Sequence, residues 1–143
     1  MTARILILCT GNSARSQMAE GWMKSFDAGL EVRSAGTQPA SRVHPAAIEV
    51  MREIGIDISG ARPKNVSEYL EQPFDLVITV CDDADRTCPA FQGKVARRVH
   101  LGFADPAKTS GSAEEVRNAF RTVRDQIRDR LYEFYVREIK PGG

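Results

Sequence analysis

Residues 4–16, with the sequence RILILCTGNSARS, are the stretch that decides the fold. Arg4 to Leu8 is a short apolar run rich in Ile and Leu, which predicts a buried strand. A polar loop from Cys9 to Arg15 follows, and apolar residues then recur at helical spacing from Ser16 to Phe26. A buried strand that leads through such a loop into a helix predicts the first unit of an α/β fold.

The rest of the chain continues this alternation. The further predicted elements are a strand at Glu31–Ala35, a helix from Pro45 that stops at Gly55, a small helix near Val66–Leu70, a strand at Phe74–Val80, a weaker strand at Val95–Leu101 and a long helix from the Ser112/Glu115 capping box. This order predicts a single α/β domain over residues 1–143, with an open, mainly parallel sheet of four strands and helices on both faces. Cys9, Cys81 and Asp105 each follow a predicted strand. We therefore expect them to gather beyond the carboxyl ends of the strands, where such sheets bind ligands.

Length and composition exclude several classes of protein. The chain has 143 residues, of which 42% are hydrophobic, as expected for one globular domain. With 20 basic and 19 acidic residues the net charge is +1, which argues against a nucleic-acid partner bound by phosphate neutralisation. No apolar run approaches the roughly 18 residues of a membrane span, so no membrane partner is expected. The three cysteines without an export signal predict a reduced, cytoplasmic location.

The loop after the first strand combines a thiol with an oxyanion-binding backbone. Gly11 and Asn12 both tolerate positive φ, which allows successive N–H groups to turn inward around an anion. Arg15 offers a planar fork for two oxyanion oxygens, and in this setting Cys9 is expected to be a thiolate nucleophile. The predicted oxyanion-binding residues are Thr10, Gly11, Asn12, Ser13, Ala14, Arg15 and Ser16. The alternative is a buried structural cysteine and a solvated arginine, which the strand–loop–helix context disfavours.

Two further thiols, Cys81 and Cys88, flank a polar, acidic segment that we expect to be a mobile loop. Six intervening residues allow this loop to fold so that the two sulfurs meet. Metal binding is a competing use of paired cysteines, but the C-x2-C spacing of zinc sites is missing and no His lies nearby, so no metal site is predicted. The simpler alternative to a functional pair is that one cysteine is buried at the end of a strand and the other lies on the surface without a function.

Asp105 precedes Pro106 in the loop after the fourth predicted strand. A carboxyl group there is suited to protonate an oxygen that leaves during substitution at a thiolate. On local sequence alone, however, an Asp before Pro is more often a turn residue.

The stretch CTGNSARSQMAEGW, residues 9–22, resembles the phosphate loop of low-molecular-weight protein tyrosine phosphatases and, more closely, that of arsenate reductases built on the same fold. The similarity continues through Ser34-Ala35-Gly36, His44-Pro45, the segment 55–59 and Asp105-Pro106 into the final helix. The resemblance implies the fold of that phosphatase family, with Asp105 as the general acid. It further implies the three-cysteine relay of thioredoxin-coupled arsenate reductases, with Cys81 and Cys88 as the first and second resolving thiols.

The chemistry implied by this resemblance is the reduction of arsenate to arsenite. Cys9 attacks arsenate, Cys81 attacks Cys9, and Cys88 moves the disulfide to Cys81–Cys88, which thioredoxin reduces. No metal or organic cofactor is required, thioredoxin is the electron donor, and phosphate or sulfate would compete with arsenate.

Three departures from the family pattern stand out. Ala14 occupies a position where many relatives have a second loop cysteine, and Leu101 follows His100 where the family has Trp. Asn12, Glu20 and Ser34 match residues that bind potassium in some relatives. Lys64 stands near the fourth ligand, and we hypothesise that its ammonium replaces the ion and contacts Glu20; a solvated lysine is the alternative.

Two other functions compete with arsenate reduction. One is a low-molecular-weight phosphatase that hydrolyses phosphomonoesters, which is weakened because Ala107 and Lys108 stand where eukaryotic-type tyrosine phosphatases have a Tyr pair. The other is a non-catalytic oxyanion or redox sensor, which the intact set of Cys9, Arg15 and Asp105 disfavours.

Overall fold

The computed structural model describes residues 3–87 and 90–140. Its centre is a four-stranded sheet in the order β2-β1-β3-β4, in which all neighbouring strands are parallel. The strands are β1 (Arg4–Cys9), β2 (Glu31–Gly36), β3 (Leu76–Thr79) and β4 (Arg98–His100). This confirms the predicted parallel sheet, although β3 and β4 are shorter than the predicted strands.

Within residues 3–87 and 90–140, four α-helices accompany the sheet: α1 (Arg15–Phe26), α2 (Pro45–Arg52), α3 (Asp82–Thr87) and α4 (Ala113–Phe134). The predicted capping box is present at the start of α4, where Ser112 and Glu115 exchange hydrogen bonds. A π-helical segment, Tyr135–Ile139, extends α4. The predicted small helix is a 3-10 turn at Val66–Glu68. No helix in the described residues is long and apolar enough to cross a membrane.

Strand β1 is covered on both faces of the sheet. Ile5, Leu6, Ile7 and Leu8 are each 0% exposed, and consecutive side chains of a strand point to opposite faces. Burying both faces explains why this strand is a continuous apolar run rather than an alternating one. It also means that Cys9, at the end of β1, emerges from a rigid base.

The segment between Cys81 and residue 88 differs from the prediction of a mobile loop. It contains α3, and the Cys81 sulfur accepts a hydrogen bond from the N–H of Ala84 at 3.4 Å. Cys81 thereby occupies the N-cap position of α3, whose third residue supplies the N–H that a cap satisfies. A sulfur cap is not among the usual Ser, Thr, Asp or Asn signals, which explains why the sequence pattern did not predict this helix. Cys88 lies outside the described residues.

Candidate active site

The carbonyl groups of the loop after β1 are bound from outside the loop. Most of their donors are backbone N–H groups of the segment after β2: Thr37 to Cys9 at 3.2 Å, Gln38 to Thr10 at 2.9 Å, Ala40 to Gly11 at 2.9 Å and His44 to Ser13 at 2.8 Å. The side chain of Gln17 binds the remaining carbonyl, that of Asn12, at 3.2 Å. The described residues contain no cis peptide bond, so each N–H points opposite to the preceding carbonyl. The N–H groups of residues 10–14 therefore face into the loop, which is the arrangement that the predicted anion nest requires.

Asn12 holds this loop in shape. It is completely buried and has a φ of 50°, in the left-handed region that Asn tolerates better than most residues. Its amide nitrogen donates to the hydroxyls of Ser16 and Ser34 at 2.8 and 3.0 Å. Its amide oxygen accepts from the side chain of Gln17 at 3.1 Å and from the N–H of Lys64 at 2.9 Å. Because these partners use both donors and both lone pairs of the amide, the positive φ of Asn12 is stabilised.

Gly36, at the end of β2, permits the close approach between the loop and its outer segment. A Cβ atom at this position would lie 2.4 Å from the carbonyl oxygen of Thr10. That oxygen is backbone and cannot move aside without displacing the nest. Only glycine therefore fits here.

Arg15, which follows the loop after β1, lies beside Asp105. The guanidinium donates from Nη1 to the carbonyl of Phe103 at 3.0 Å, and Nη2 lies 3.5 Å from Asp105 Oδ2. The other carboxylate oxygen of Asp105 accepts from the N–H of Ala107 at 3.0 Å and caps the 3-10 turn Pro106–Lys108. Asp105 is thus both a turn residue and a member of the site, so the two interpretations of its local sequence are compatible.

Cys9 and Cys81 form a hydrogen-bonded pair of thiols at the carboxyl ends of neighbouring strands. Both are free and buried, with exposed fractions of 4% and 3%. The Cys9 hydrogen bond lowers the pKa of Cys81 to about 5, assisted by the Thr10 hydroxyl at 3.4 Å and the N–H of Ala84. The same hydrogen bond raises the pKa of Cys9, and burial adds to this against the charge of Arg15.

The thiol pair couples the ionisation of its two members. Two thiols in contact do not both ionise readily at neutral pH, and the hydrogen bond that lowers the pKa of Cys81 raises that of Cys9. The expected Cys9 thiolate therefore depends on the charge of Cys81, and it stays a prediction. Sequence spacing does not reveal this coupling, because Cys81 lies 71 positions along the chain from Thr10, the neighbour of Cys9.

The hypothesis about Lys64 is met only in part. Its N–H belongs to the Asn12 network, and burial is the main cause that lowers the pKa of its side chain. Its ammonium donates to the carbonyl of Arg62 at 3.1 Å, whereas Glu20 pairs with Lys24 at 2.6 Å. One oxygen of Glu20 is buried without a hydrogen-bond partner in the described residues. The charge of Glu20 raises the pKa of Lys64, but the ion pair described for Glu20 is with Lys24.

Several functional contributions escaped sequence reasoning. The backbone of residues 37–44, the side chain of Gln17 and the Thr10 hydroxyl on Cys81 carry no motif of their own. His44 caps α2, where its Nδ1 accepts the N–H of Ala46 at 3.1 Å. The ring of His100 links α3 to β3 beside Cys81.

Comparisons with known proteins show which family the chain resembles. The sequence profile of the low molecular weight phosphotyrosine protein phosphatase family matches residues 4–141. The arsenate reductase of Halalkalibacterium halodurans is 48% identical over 131 residues, 91% of this chain and 93% of that protein. A solved arsenate reductase in a phosphate-binding state is 33% identical and superposes with a TM-score of 0.79 over 94% of this chain and 98% of that chain. The thioredoxin-dependent arsenate reductase of Corynebacterium glutamicum is 28% identical, with a TM-score of 0.62 over 94% of this chain and 63% of that one. The fold implied by the resemblance is confirmed.

Proposed function

The chain belongs to the low molecular weight phosphotyrosine protein phosphatase family, and from that premise we propose that it reduces arsenate to arsenite with electrons from thioredoxin. The observation that carries this proposal is the second thiol, Cys81, hydrogen-bonded to Cys9 inside the oxyanion site. Hydrolysis of a phosphoester at Cys9 uses water and needs no such neighbour. Reduction needs a second thiol within reach, because two electrons leave the protein as a disulfide forms. The named arsenate reductases that resemble this chain support the same activity.

The first step is substitution at arsenic. The nest of N–H groups and the guanidinium of Arg15 hold the oxyanion with one face toward Cys9, which requires Arg15 to exchange its contact with the Phe103 carbonyl for the substrate. As the Cys9 sulfur bonds to arsenic, one arsenate oxygen leaves as water. Cys9 attacks as a thiolate, and Asp105, which lies beside Arg15, supplies the proton that the leaving oxygen needs.

The second step uses the charge distribution of the thiol pair. The Cys81 thiolate attacks the sulfur of Cys9, the sulfur–arsenic bond breaks, and its electron pair leaves with arsenic as arsenite. A Cys9–Cys81 disulfide remains. The lowered pKa of Cys81, about 5, favours the thiolate that this attack requires.

The third step, attack of Cys88 on Cys81, concerns a residue outside the described part of the chain. It would free Cys9 and leave a Cys81–Cys88 disulfide for thioredoxin. The six residues of α3 advance the chain by about 9 Å at about 1.5 Å per residue, whereas the Cα atoms of a disulfide lie about 4.4–6.8 Å apart. We therefore expect α3 to lose helical turns when this disulfide forms.

The other parts of the proposal follow from the same chemistry. Phosphate and sulfate present the same tetrahedral oxygens to the nest and are expected to compete with arsenate. Weak hydrolysis of phosphomonoesters is compatible with Cys9, Arg15 and Asp105, but nothing in this structure favours it as the main activity. We infer a cytoplasmic protein that needs neither a metal nor an organic cofactor and that does not bind nucleic acid.

The test is NADPH consumption with thioredoxin and thioredoxin reductase, with and without arsenate, beside hydrolysis of p-nitrophenyl phosphate. We expect oxidation of NADPH that depends on arsenate and yields one arsenite per NADPH. Hydrolysis of the phosphoester without arsenate-dependent NADPH consumption would instead support a phosphatase. If neither activity is found but the protein binds oxyanions tightly, the result favours a sensor.

A further inference from the structure

His100, at the end of β4, joins α3 to β3 beside the thiol pair. Its Nδ1 lies 2.8 Å from the hydroxyl oxygen of Thr79, and its Nε2 lies 2.9 Å from Oδ1 of Asp82. An ionised carboxylate only accepts hydrogen bonds, so Nε2 donates to Asp82, and Nδ1 is paired with the Thr79 hydroxyl. We call Thr79, His100 and Asp82 the clasp.

Two residues of the clasp lie on either side of Cys81 in the sequence. Thr79 is the last residue of β3, and Asp82, the first residue of α3, directly follows Cys81. The Cys81 sulfur itself is hydrogen-bonded to the Thr10 hydroxyl and to the N–H of Ala84, both at 3.4 Å. The clasp adds shorter bonds between nitrogen and oxygen to both sides of this thiol, so it fixes the backbone from which the thiol projects.

Gly102 provides independent evidence that the fold makes room for the clasp. A Cβ atom on Gly102 would lie 3.0 Å from Nε2 of His100 and 3.3 Å from Oδ1 of Asp82. These two atoms are the ones that form the hydrogen bond. A residue without a side chain therefore stands directly against it.

The exposure of the clasp argues against a role in global stability. The side chain of Asp82 is 80% exposed and that of His100 is 32% exposed. Exposed pairs of this kind contribute little to the free energy of folding. Their effect is instead local, on where the first turn of α3 and the adjoining Cys81 lie.

We propose that the clasp positions Cys81 for the first disulfide, and that His100 and Asp82 are positioning residues of the reductase. The inference rests on the proposed function. With the clasp intact, the thiolate stays in contact with Cys9 until arsenic is bound. When α3 unwinds for the next exchange, Asp82 leaves His100, so the clasp has no part in the later reduction by thioredoxin. Displacing a reacting group by about 1 Å costs on the order of a hundredfold in rate, so its loss should slow only the step at Cys9.

The experiment compares His100→Asn, His100→Gln, Asp82→Ala and the double variant His100→Asn/Asp82→Ala. The amide nitrogen of Gln reaches as far as Nε2, whereas that of Asn reaches only as far as Nδ1, so Gln keeps the bond to Asp82 and Asn does not. Arsenite released per enzyme is followed by quenched flow without thioredoxin, over a range of arsenate concentrations. Reduction of the preformed oxidised enzyme by thioredoxin is timed separately.

We expect His100→Asn and Asp82→Ala to lower the maximum rate of the single turnover by about tenfold to a hundredfold, with the half-saturating arsenate concentration unchanged. The double variant should be no slower than the slower single variant, because both remove one interaction. His100→Gln should stay within about threefold of the wild type. The rate of reduction by thioredoxin should not fall.

Any of three results would overturn the clasp. The single variants could match the wild type, the losses could multiply in the double variant, or the affinity for arsenate could weaken. Should His100→Asn fail to fold, Gly102→Ala tests the same contact with all clasp side chains retained, and a wild-type rate there would overturn it too. A wild-type chain that releases no arsenite would refute the proposed function itself. If the wild type releases arsenite and the variants release it equally fast, the clasp alone is refuted.

Discussion

At the scale of single residues, the site is governed by how one proton is shared between two thiols. Cys9 and Cys81 touch, so the charge of one thiol controls the ionisation of the other. A phosphatase-like loop alone would place the negative charge on Cys9, next to Arg15 and the nest. The hydrogen bond between the two thiols raises the pKa of Cys9 and lowers that of Cys81, which favours a thiolate at the residue that the resolving step uses.

Removing Cys81 should therefore make Cys9 more acidic. The main cause that raises the pKa of Cys9 is its hydrogen bond to Cys81, so Cys81→Ala should shift the pH midpoint of Cys9 alkylation downward. Iodoacetamide labelling across pH, followed by peptide mass mapping of Cys9, measures the midpoint. Thr109→Ala, in the loop after the Pro106–Lys108 turn, serves as the matched control and should leave the midpoint in place. A midpoint that stays or rises in Cys81→Ala would contradict the shared proton.

Arg15 should resist even a conservative replacement. In this structure its planar guanidinium contacts two acceptors, the Phe103 carbonyl and Asp105. In the proposed complex the same planar group binds a tetrahedral oxyanion. Lysine supplies a point charge without that geometry, so Arg15→Lys should lower kcat/KM for arsenate by about 10²–10³-fold, as for loss of an oxyanion donor. Steady-state kinetics with thioredoxin measure this, and Arg117→Lys on α4 is the control. A loss of less than tenfold would show that the charge alone is sufficient.

At the scale of elements, the active loop depends on the segment that follows β2. Four backbone N–H groups of residues 37–44 bind loop carbonyls, and Gly36 is the point of closest approach. The nest is therefore shaped from outside, by a stretch of chain that has no catalytic side chain.

Gly36→Ala tests this dependence. The added Cβ would lie 2.4 Å from the Thr10 carbonyl, so the loop or its outer segment must shift. We expect a loss of about 1–3 kcal/mol in the free energy of unfolding and at least a tenfold weaker affinity for phosphate. Thermal unfolding and titration calorimetry measure the two quantities. Gly60→Ala is the matched control, because nothing lies within 4 Å of its Cβ position. Unchanged affinity in Gly36→Ala would show that the nest does not rely on this packing.

The same elements explain what sequence could predict. Local signals were sufficient for β1, α1 and the capping box of α4, because the pattern of each is contained within a few residues. They failed at α3, whose cap is a cysteine sulfur. They could not give the thiol pair or the outer hydrogen bonds of the loop, because these join residues far apart in the chain that only the parallel register brings together.

At the scale of the whole molecule, the sheet concentrates the chemistry at one edge and buries it there. Cys9, Cys81, Thr79 and His100 all lie at the carboxyl ends of β1, β3 and β4. This placement lets the strands act as a rigid frame for groups that must meet within hydrogen-bond distance. It also puts both sulfurs of the proposed first disulfide out of reach of another protein.

That burial decides the expected role of Cys88. A disulfide between Cys9 and Cys81, residues that are 4% and 3% exposed, cannot be attacked by a reductant as large as thioredoxin, so oxidation has to be carried outward through a third thiol. Cys88→Ser should therefore release about one arsenite per enzyme and then stop, with Cys9–Cys81 trapped, because thiol–disulfide exchange cannot continue. Cys81→Ser should release none, since nothing resolves the arsenic adduct on Cys9. Any hydrolysis of p-nitrophenyl phosphate by the wild type should survive in both variants, because that reaction uses water. Quenched arsenite counts and disulfide mapping distinguish these outcomes, and continued turnover with thioredoxin in Cys88→Ser would show that the first disulfide is accessible after all.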